Sequence, residues 1–311
     1  MVARKDLSFN LLVVLGPTAS GKTRLGVELA RRLNGEIISA DSRQVFRGMD
    51  LGTGKDLAEY GDIPHHLIDI AAAGEEFSVF AFQRAFYDAF AAIGQRGRLP
   101  LLVGGTGLYL DAVLRGYRLV EVPPDPALRT RLAILDDAAL RERLRRLKPD
   151  LHNTTDLQDR ERLIRAIEIA SGEQAAALEQ PPLPRLTPLV LGVRWERAEL
   201  RRRIAQRLHA RLDQGLVEEV AHLHAAGVPW ARLEFYGLEY RFIAQHLQGA
   251  LTYDAMVRQL TIAIGQFAKR QETFFRRMER QGLGIHWLDG RTDALAQALA
   301  IVHEATPGGL G

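Results

Sequence analysis

An apolar run, Asn10 to Leu15, ends in Gly16-Pro17-Thr18-Ala19-Ser20-Gly21-Lys22-Thr23, after which Leu25, Leu29 and Leu33 recur at helical spacing. The eight residues fit G-x-x-x-x-G-K-[ST] between a strand and a helix, the context that gives this motif its meaning as a phosphate-binding loop. Glycines let backbone N–H groups turn toward phosphate oxygens, and the helix start adds its positive dipole end. Lys22 supplies a point charge, and the Thr23 hydroxyl can hold Mg2+ carried by the phosphates. Strand, loop and helix in this order open an α/β unit. Further strands are predicted at Glu36 to Ser39 and Leu99 to Val103, with a helix over Phe77 to Ile93 between them. The expected fold is α/β: a P-loop parallel sheet flanked by helices.

The alternation stops after Arg115. EVPPDP at 121–126 and PPLPRLTP at 181–188 bracket three helical runs, Ala127 to Leu135, Ala138 to Leu147 and Asp159 to Ser171. Proline-rich hinges around helices predict an inserted helical subdomain over 121–184, splitting a core of 1–120 and 185–311. In the second part, Leu189 to Val193 reads as a returning strand, and from Glu196 onward the chain reads as helices punctuated by Gly215, Gly227, Gly237 and Gly249.

Composition narrows the chemistry. The 311 residues include no cysteine, which excludes disulfides, cysteine-ligated metals and thiol nucleophiles, and suits a reducing cytoplasm. No apolar run approaches the length of a membrane span, so a cytoplasmic protein with no membrane partner is expected. The basic, apolar start resembles a signal peptide, but a phosphate loop follows it where a cleavage site would stand. Net charge is +3, and it is unevenly placed: residues 185–211 hold 8 Arg against 2 Glu, while the stretches on either side are slightly acidic. The positive excess therefore needs an anion.

In parallel sheets ligands gather at the carboxyl ends of the strands. The second strand ends in Ala40-Asp41-Ser42-Arg43-Gln44 and the third in Gly104-Gly105-Thr106-Gly107. A carboxylate at Asp41 can take a proton, reach Mg2+ or simply cap a turn, and Gln44 has the donor and acceptor that read an adenine edge. Glycine after the third strand, where phosphoryl-transfer enzymes usually place a metal-binding Asp, favours a diphosphate held without that apparatus. His65-His66 and His222-x-His224 lack a third ligand at sensible spacing, and no nucleophile elbow is present.

These segments resemble the tRNA dimethylallyltransferase (tRNA isopentenyltransferase) family. The resemblance rests on GPTASGKT at 16–23, DSRQVFRGMDLGTGK at 41–55, HHLID at 65–69, GGTGLYL at 104–110 and FAKRQETFFR at 267–276. DRERLIRAIEIA at 159–170 and FYGLEYRFIAQHLQG at 235–249 are looser matches. It implies transfer of a dimethylallyl group from dimethylallyl diphosphate to N6 of the adenosine 3′-adjacent to the anticodon in tRNA, by a monomeric enzyme using Mg2+. Asp41 is implied as base and Thr106 as a contact near the transferred group. Lys22, Thr23 and the loop would face the leaving pyrophosphate. Arg207 matches an arginine that helps hold the diphosphate. It lies beside an apolar stripe, Leu200, Ile204, Leu208 and Leu212, with Arg203 and Arg211 along the same edge and Arg202 pointing away. Contacts to tRNA are implied for Asp41, Ser42, Arg43, Gln44 and Thr106, and in the inserted helices for Arg129, Glu161, Arg162, Leu163, Ile164 and Arg165. Arg141, Arg143, Arg145 and Arg146 read as surface charge, and the aromatics of 267–280 as core.

The departures fall on the RNA side. His152 to Asp156 replace an Asn-Asp turn, Gly237-Leu238-Glu239 replaces Gly-Tyr-Lys/Arg, Gly265 stands for an Arg, and Phe274 for a Trp. Two alternatives stay open: a P-loop small-molecule kinase, from residues 16–23 alone, and prenyl transfer to free adenine nucleotides, which the inserted helices argue against.

Overall fold

The computed structural model describes residues 7–75, 77–149, 159–176 and 182–306, with the side chains of 174–176 set aside. The altered turn expected at 152–156 lies outside them. The chain divides into two compact units, one of residues 1–115 and 184–311, the other of residues 116–183.

The first unit is built on a six-stranded sheet of order β3-β2-β4-β1-β5-β6. The strands are β1 Leu11–Leu15, β2 Gly35–Ala40, β3 His65–His66, β4 Leu99–Gly104, β5 Pro188–Arg194 and β6 His286–Asp289, and every adjacent pair is parallel. Central β1 is buried throughout because helices cover both faces, and its side chains alternate between them. Leu12 and Val14 join a core with α1 (Lys22–Leu33) and α12 (Ala294–Glu304). Leu11, Val13 and Leu15 join one with α2 (Val79–Gln95), α3 (Gly107–Leu114) and Phe275. β6 corrects the reading of everything after Glu196 as helical. It has four residues, HWLD, too few for a period-2 pattern to stand out, and only its pairing with β5 defines it.

A third core is mostly helical, with Ala19, Val45, Phe46, Met49 and Ala71 added from loops. It joins α7 (Arg197–Asp213), α8 (Leu216–Ala225), α9 (Trp230–Tyr236), α10 (Leu238–Leu247) and the 28-residue α11 (Tyr253–Arg280). In α7 the buried stripe is Leu200, Ile204, Leu208 and Leu212, as its spacing predicts, and Arg211 is buried with it. α11 buries Met256, Leu260, Ile264, Ala268, Gln271, Phe275 and Met278, a single helical face. Phe267, expected in the core, lies off that face and is 39% exposed.

The second unit holds α4 (Pro126–Ala133), α5 (Asp137–Leu147) and α6 (Arg160–Ala176). Asp125 caps α4 by accepting from the Leu128 N–H, with Pro126 in the first turn, and Asp136 caps α5 through the Ala139 N–H. Leu128, Leu132, Leu140, Leu144, Leu163, Ile167 and Ala170 form its own small core.

Candidate active site at the carboxyl edge of the sheet

The loop of residues 16–21 leaves β1 and feeds α1 through two left-handed positions, Ala19 (φ 61°) and Gly21 (φ 86°). Gly21 adopts that geometry without penalty, whereas Ala19 is held there by the packing around it. Three contacts from residues distant in sequence fix the loop. The Thr18 N–H donates to Gln271 Oε1 (2.8 Å), the Trp195 indole N–H donates to Ser20 O (2.9 Å), and Arg203 Nε donates to Ala19 O (3.0 Å). Arg203 also stacks on Trp195 with its Cζ 4.0 Å from the ring centroid. Gln271, buried on α11, donates its other end to Gly105 O (2.9 Å), so one amide ties the phosphate loop to the β4 loop. Gln271 lies inside the 267–276 motif but has no sequence signal of its own, since a buried bridging amide looks like any helical Gln.

Asp41 and Thr106 follow neighbouring strand ends, as β2 pairs with β4 up to Ala40 and Gly104. A Cβ on Gly104 would overlap the Ala40 carbonyl, so glycine is what lets the two strand ends close up. The Thr106 N–H donates to Ala40 O (3.1 Å), and Thr106 Oγ1 accepts from the Ser42 N–H (3.0 Å). Asp41 Oδ1 accepts from the Arg43 N–H (2.9 Å), an Asx-type turn that orients the carboxylate while leaving Oδ2 for other work. The Gln44 amide, expected to read a base edge, is buried: Oε1 accepts from Ser39 Oγ (2.8 Å) and Nε2 donates to Gly54 O (2.9 Å). It holds the 54–56 loop in place.

That loop presents the arginines. Arg207 Nη2 lies 3.2 Å from Asp56 Oδ2, and Arg211 Nη2 lies 3.1 Å from Asp56 Oδ1. Gly54 takes φ 65°, and a Cβ there would overlap both guanidiniums. Beneath the loop Lys55 is fully buried, bonded to Phe46 O (2.8 Å), Asp50 (2.6 Å) and Asp69. Asp56, which carries no local sequence signal, thus bridges two like charges. Arg202, by contrast, is exposed and pairs with the half-buried Glu199 of its own helix (2.7 Å).

Between loop and arginines lies a cleft of about 360 Å³ lined by Lys22, Thr23, Asp56, Arg203 and Arg207 among others. Burial, then the nearby Arg207, lowers Lys22 to about 8. A cationic cleft of this kind is primed for an anion, which would restore the lysine. Ser20 Oγ is buried without a hydrogen-bond partner among the described residues, a spare group inside the loop. At the far side, burial pushes the Glu239 carboxyl up beside Arg207 and Arg211. No group of three or more His, Cys, Asp or Glu suited to a metal occurs among the described residues. A divalent ion here would take most of its ligands from diphosphate and water, with the Thr23 hydroxyl as protein donor, which is how Mg2+ is usually held.

The residues expected in the inserted helices belong to the other unit. Leu163 is 1% exposed in that unit's core, which corrects its expected place against RNA: it falls on the apolar face of α6. Ile164 packs partly against the same core, and Glu161 and Arg162 are exposed. Arg129 makes a bidentate pair with Glu168 (2.8 and 2.9 Å), and Arg165 reaches Glu168 (3.2 Å) and Val122 O (2.7 Å). Both arginines have structural work.

Three comparisons bear on this geometry. The IPP transferase family model matches residues 44–278. A "tRNA dimethylallyltransferase 2" of Syntrophotalea carbinolica is 66% identical over 295 residues, 95% of this chain and 99% of the relative. A crystal structure of a tRNA isopentenylpyrophosphate transferase from Bacillus halodurans superposes with TM-score 0.69 at 33% identity, covering 96% and 95% of the two chains. A eukaryotic dimethylallyltransferase, captured acting on tRNA, superposes with TM-score 0.80 at 25% identity over 96% of this chain and 79% of that one. The chain belongs to the IPP transferase family, in which its relatives are tRNA dimethylallyltransferases.

Proposed function

We propose that this enzyme transfers a dimethylallyl group from dimethylallyl diphosphate to N6 of the adenosine 3′-adjacent to the anticodon in tRNA, releasing pyrophosphate. One observation carries the reading: Asp41 and Thr106 lie at adjacent strand ends, with the phosphate loop and its cationic cleft on the same sheet edge. In the reaction the N6–C1 bond forms as the allylic C1–O bond breaks, and the electron pair leaves with pyrophosphate. An exocyclic adenine amine is a poor nucleophile, so Asp41 takes the N6 proton as the new bond forms. Thr106 is held by the Ser42 N–H beside it and contacts the substrates near the transferred carbon.

Charge growing on the leaving group is met by groups already in place: Lys22, the loop N–H groups and Arg207, whose position Asp56 fixes. Mg2+ bound with the diphosphate supplies further charge neutralisation, with Thr23 as its protein ligand. Phe274 packs on Gly107, where a Cβ would overlap its ring, and so closes the α3 end of the site. Glu161, Arg162 and Ile164 remain proposed tRNA contacts of the inserted helices, as do Arg129 and Arg165 by the part of each side chain left exposed beside Glu168. In the sheet-bearing unit Ser42 and Arg43 are proposed tRNA contacts, while the buried Gln44 amide holds the 54–56 loop. The enzyme acts as a monomer in the cytoplasm on this reading; no described helix is long and apolar enough to cross a membrane.

The kinase and free-nucleotide alternatives are not favoured, since the relatives at 60% identity and above are tRNA dimethylallyltransferases. The test is to incubate the protein with dimethylallyl diphosphate and an unmodified anticodon stem-loop. A dimethylallyl mass gain on one adenine with equal pyrophosphate release is expected. Pyrophosphate without prenylated RNA, or ATP turnover on a small acceptor, would overturn it.

A further inference from the structure

Phe235 is the most exposed aromatic side chain among the large exposed hydrophobics, at 60%, while its neighbour Tyr236 is fully buried. A lone exposed apolar residue is ordinary. This one is not alone in charge terms. Arg43 Cζ lies 5.5 Å from its ring centroid and Arg232 Cζ lies 5.4 Å from it, both within cation–π range. Arg232 is pinned by the carbonyls of Gly74 (2.7 Å) and Glu75 (3.0 Å). The backbone N–H of Arg43 donates to Asp41, so one residue links the two: its main chain orients the carboxylate and its guanidinium lies near the ring. On another side an open groove of about 450 Å³ is lined by Phe235, Ala231, Glu234, Arg241 and Gln245. Arg241 Nε donates to Glu234 O (3.2 Å), fixing a third guanidinium at the groove.

An aromatic face held by two cations and bordered by a third matches an anion that carries flat rings, which is a nucleotide. A protein partner would instead need a wider apolar surface than one ring offers. The ring has no hydrogen-bonding group, so it would recognise stacking rather than base identity.

We propose that Phe235 is a stacking platform for an anticodon-loop nucleobase flanking the adenosine presented to Asp41, with Arg43 and Arg241 toward the adjoining phosphates. This rests on the tRNA-prenylation reading above. The test uses the full chain, its Phe235→Ala and Phe235→Trp variants, dimethylallyl diphosphate, and stem-loops carrying 2-aminopurine at each loop position beside the target. Phe235→Ala should raise the KM for the stem-loop by about 5- to 150-fold, the range of a lost base–aromatic stack. The KM for dimethylallyl diphosphate should stay unchanged, and Phe235→Trp should restore RNA affinity. One 2-aminopurine position should be quenched on binding the wild-type protein and bright on the Ala variant. An unchanged stem-loop KM in Phe235→Ala would overturn the proposal. So would equal loss in the Ala and Trp variants, or an equal rise in both substrates' KM. If the wild-type protein itself prenylates no RNA, the underlying reading fails instead; if it does and Phe235→Ala matches it, only the platform fails.

Discussion

Arginines do opposite work in the two units. In the sheet-bearing unit, Arg207 and Arg211 share one carboxylate, Asp56, at the edge of a cleft that also holds Lys22. Cations outnumber acids there, and the cleft is left in need of an anion. In the unit of residues 116–183 the arginines at the centre are instead held by a buried carboxylate and by carbonyls of the same unit. Buried Glu168 collects Arg129, Arg165 and the Asp125 N–H, and Arg160 pairs with Asp137 (2.6 Å) while donating to Ala133 O and Leu135 O. The difference teaches that arginine content does not locate a binding surface; what matters is whether a carboxylate has already answered the charge.

The largest expected effect separates chemistry from binding within the first region. Asp41→Asn should lower turnover by about 10²- to 10⁴-fold, the usual worth of a positioned base, with stem-loop affinity nearly intact. Single-turnover rates alongside filter binding would check this, and an equal loss of rate and affinity would refute the role of base.

The next tests the second region. Burial alone would raise the Glu168 carboxyl, but hydrogen bonds from Arg129, the Asp125 N–H and Arg165 outweigh it and hold the group at about 2. With its folded value depressed, the stabilisation is present above the ordinary carboxylate range and is lost as pH falls toward about 2. Glu168→Gln should destabilise the helical unit by roughly 1.5–3 kcal/mol, read as faster amide exchange in α4 and α6. If exchange there is unchanged and RNA binding alone alters, these arginines are not structural.

A smaller effect comes from Lys22. Its value of about 8 lies below that of the unfolded chain, so the free cleft disfavours the charged lysine while a bound diphosphate favours it. Dimethylallyl diphosphate affinity should therefore fall as pH rises above about 8, by up to about tenfold per unit. Isothermal titration in buffers of differing ionisation enthalpy would show proton uptake on binding at pH 8 and above. Smallest of all, Arg202→Ala should change activity and stability by less than about 0.5 kcal/mol, because this exposed arginine pairs with Glu199, its neighbour three residues back on the same helix.

Much of the first region was legible in the sequence. The phosphate loop, the strand ends bearing Asp41 and Thr106, and the α7 stripe all follow from local patterns of glycine and apolar spacing. What escaped depends on residues far apart in the chain. Gln271 bridges two loops 166 residues from its partner Gly105, and Asp56 matters only because α7 arrives beside it. β6 is four residues long and needs β5 to exist as a strand. In the second unit the misreading of Leu163 has one cause: it sits in a charged helix whose inward face is set by tertiary packing, and Glu168, which holds that helix's Arg165, is indistinguishable in sequence from a surface acid.

On this reading the positive excess of residues 185–211 points, through Arg207, at the diphosphate. Steady-state kinetics of Arg207→Ala with both substrates varied tests it most directly. The prediction is a raised KM for dimethylallyl diphosphate and a lowered kcat, with the stem-loop KM unchanged. A raised stem-loop KM with diphosphate use intact would contradict it.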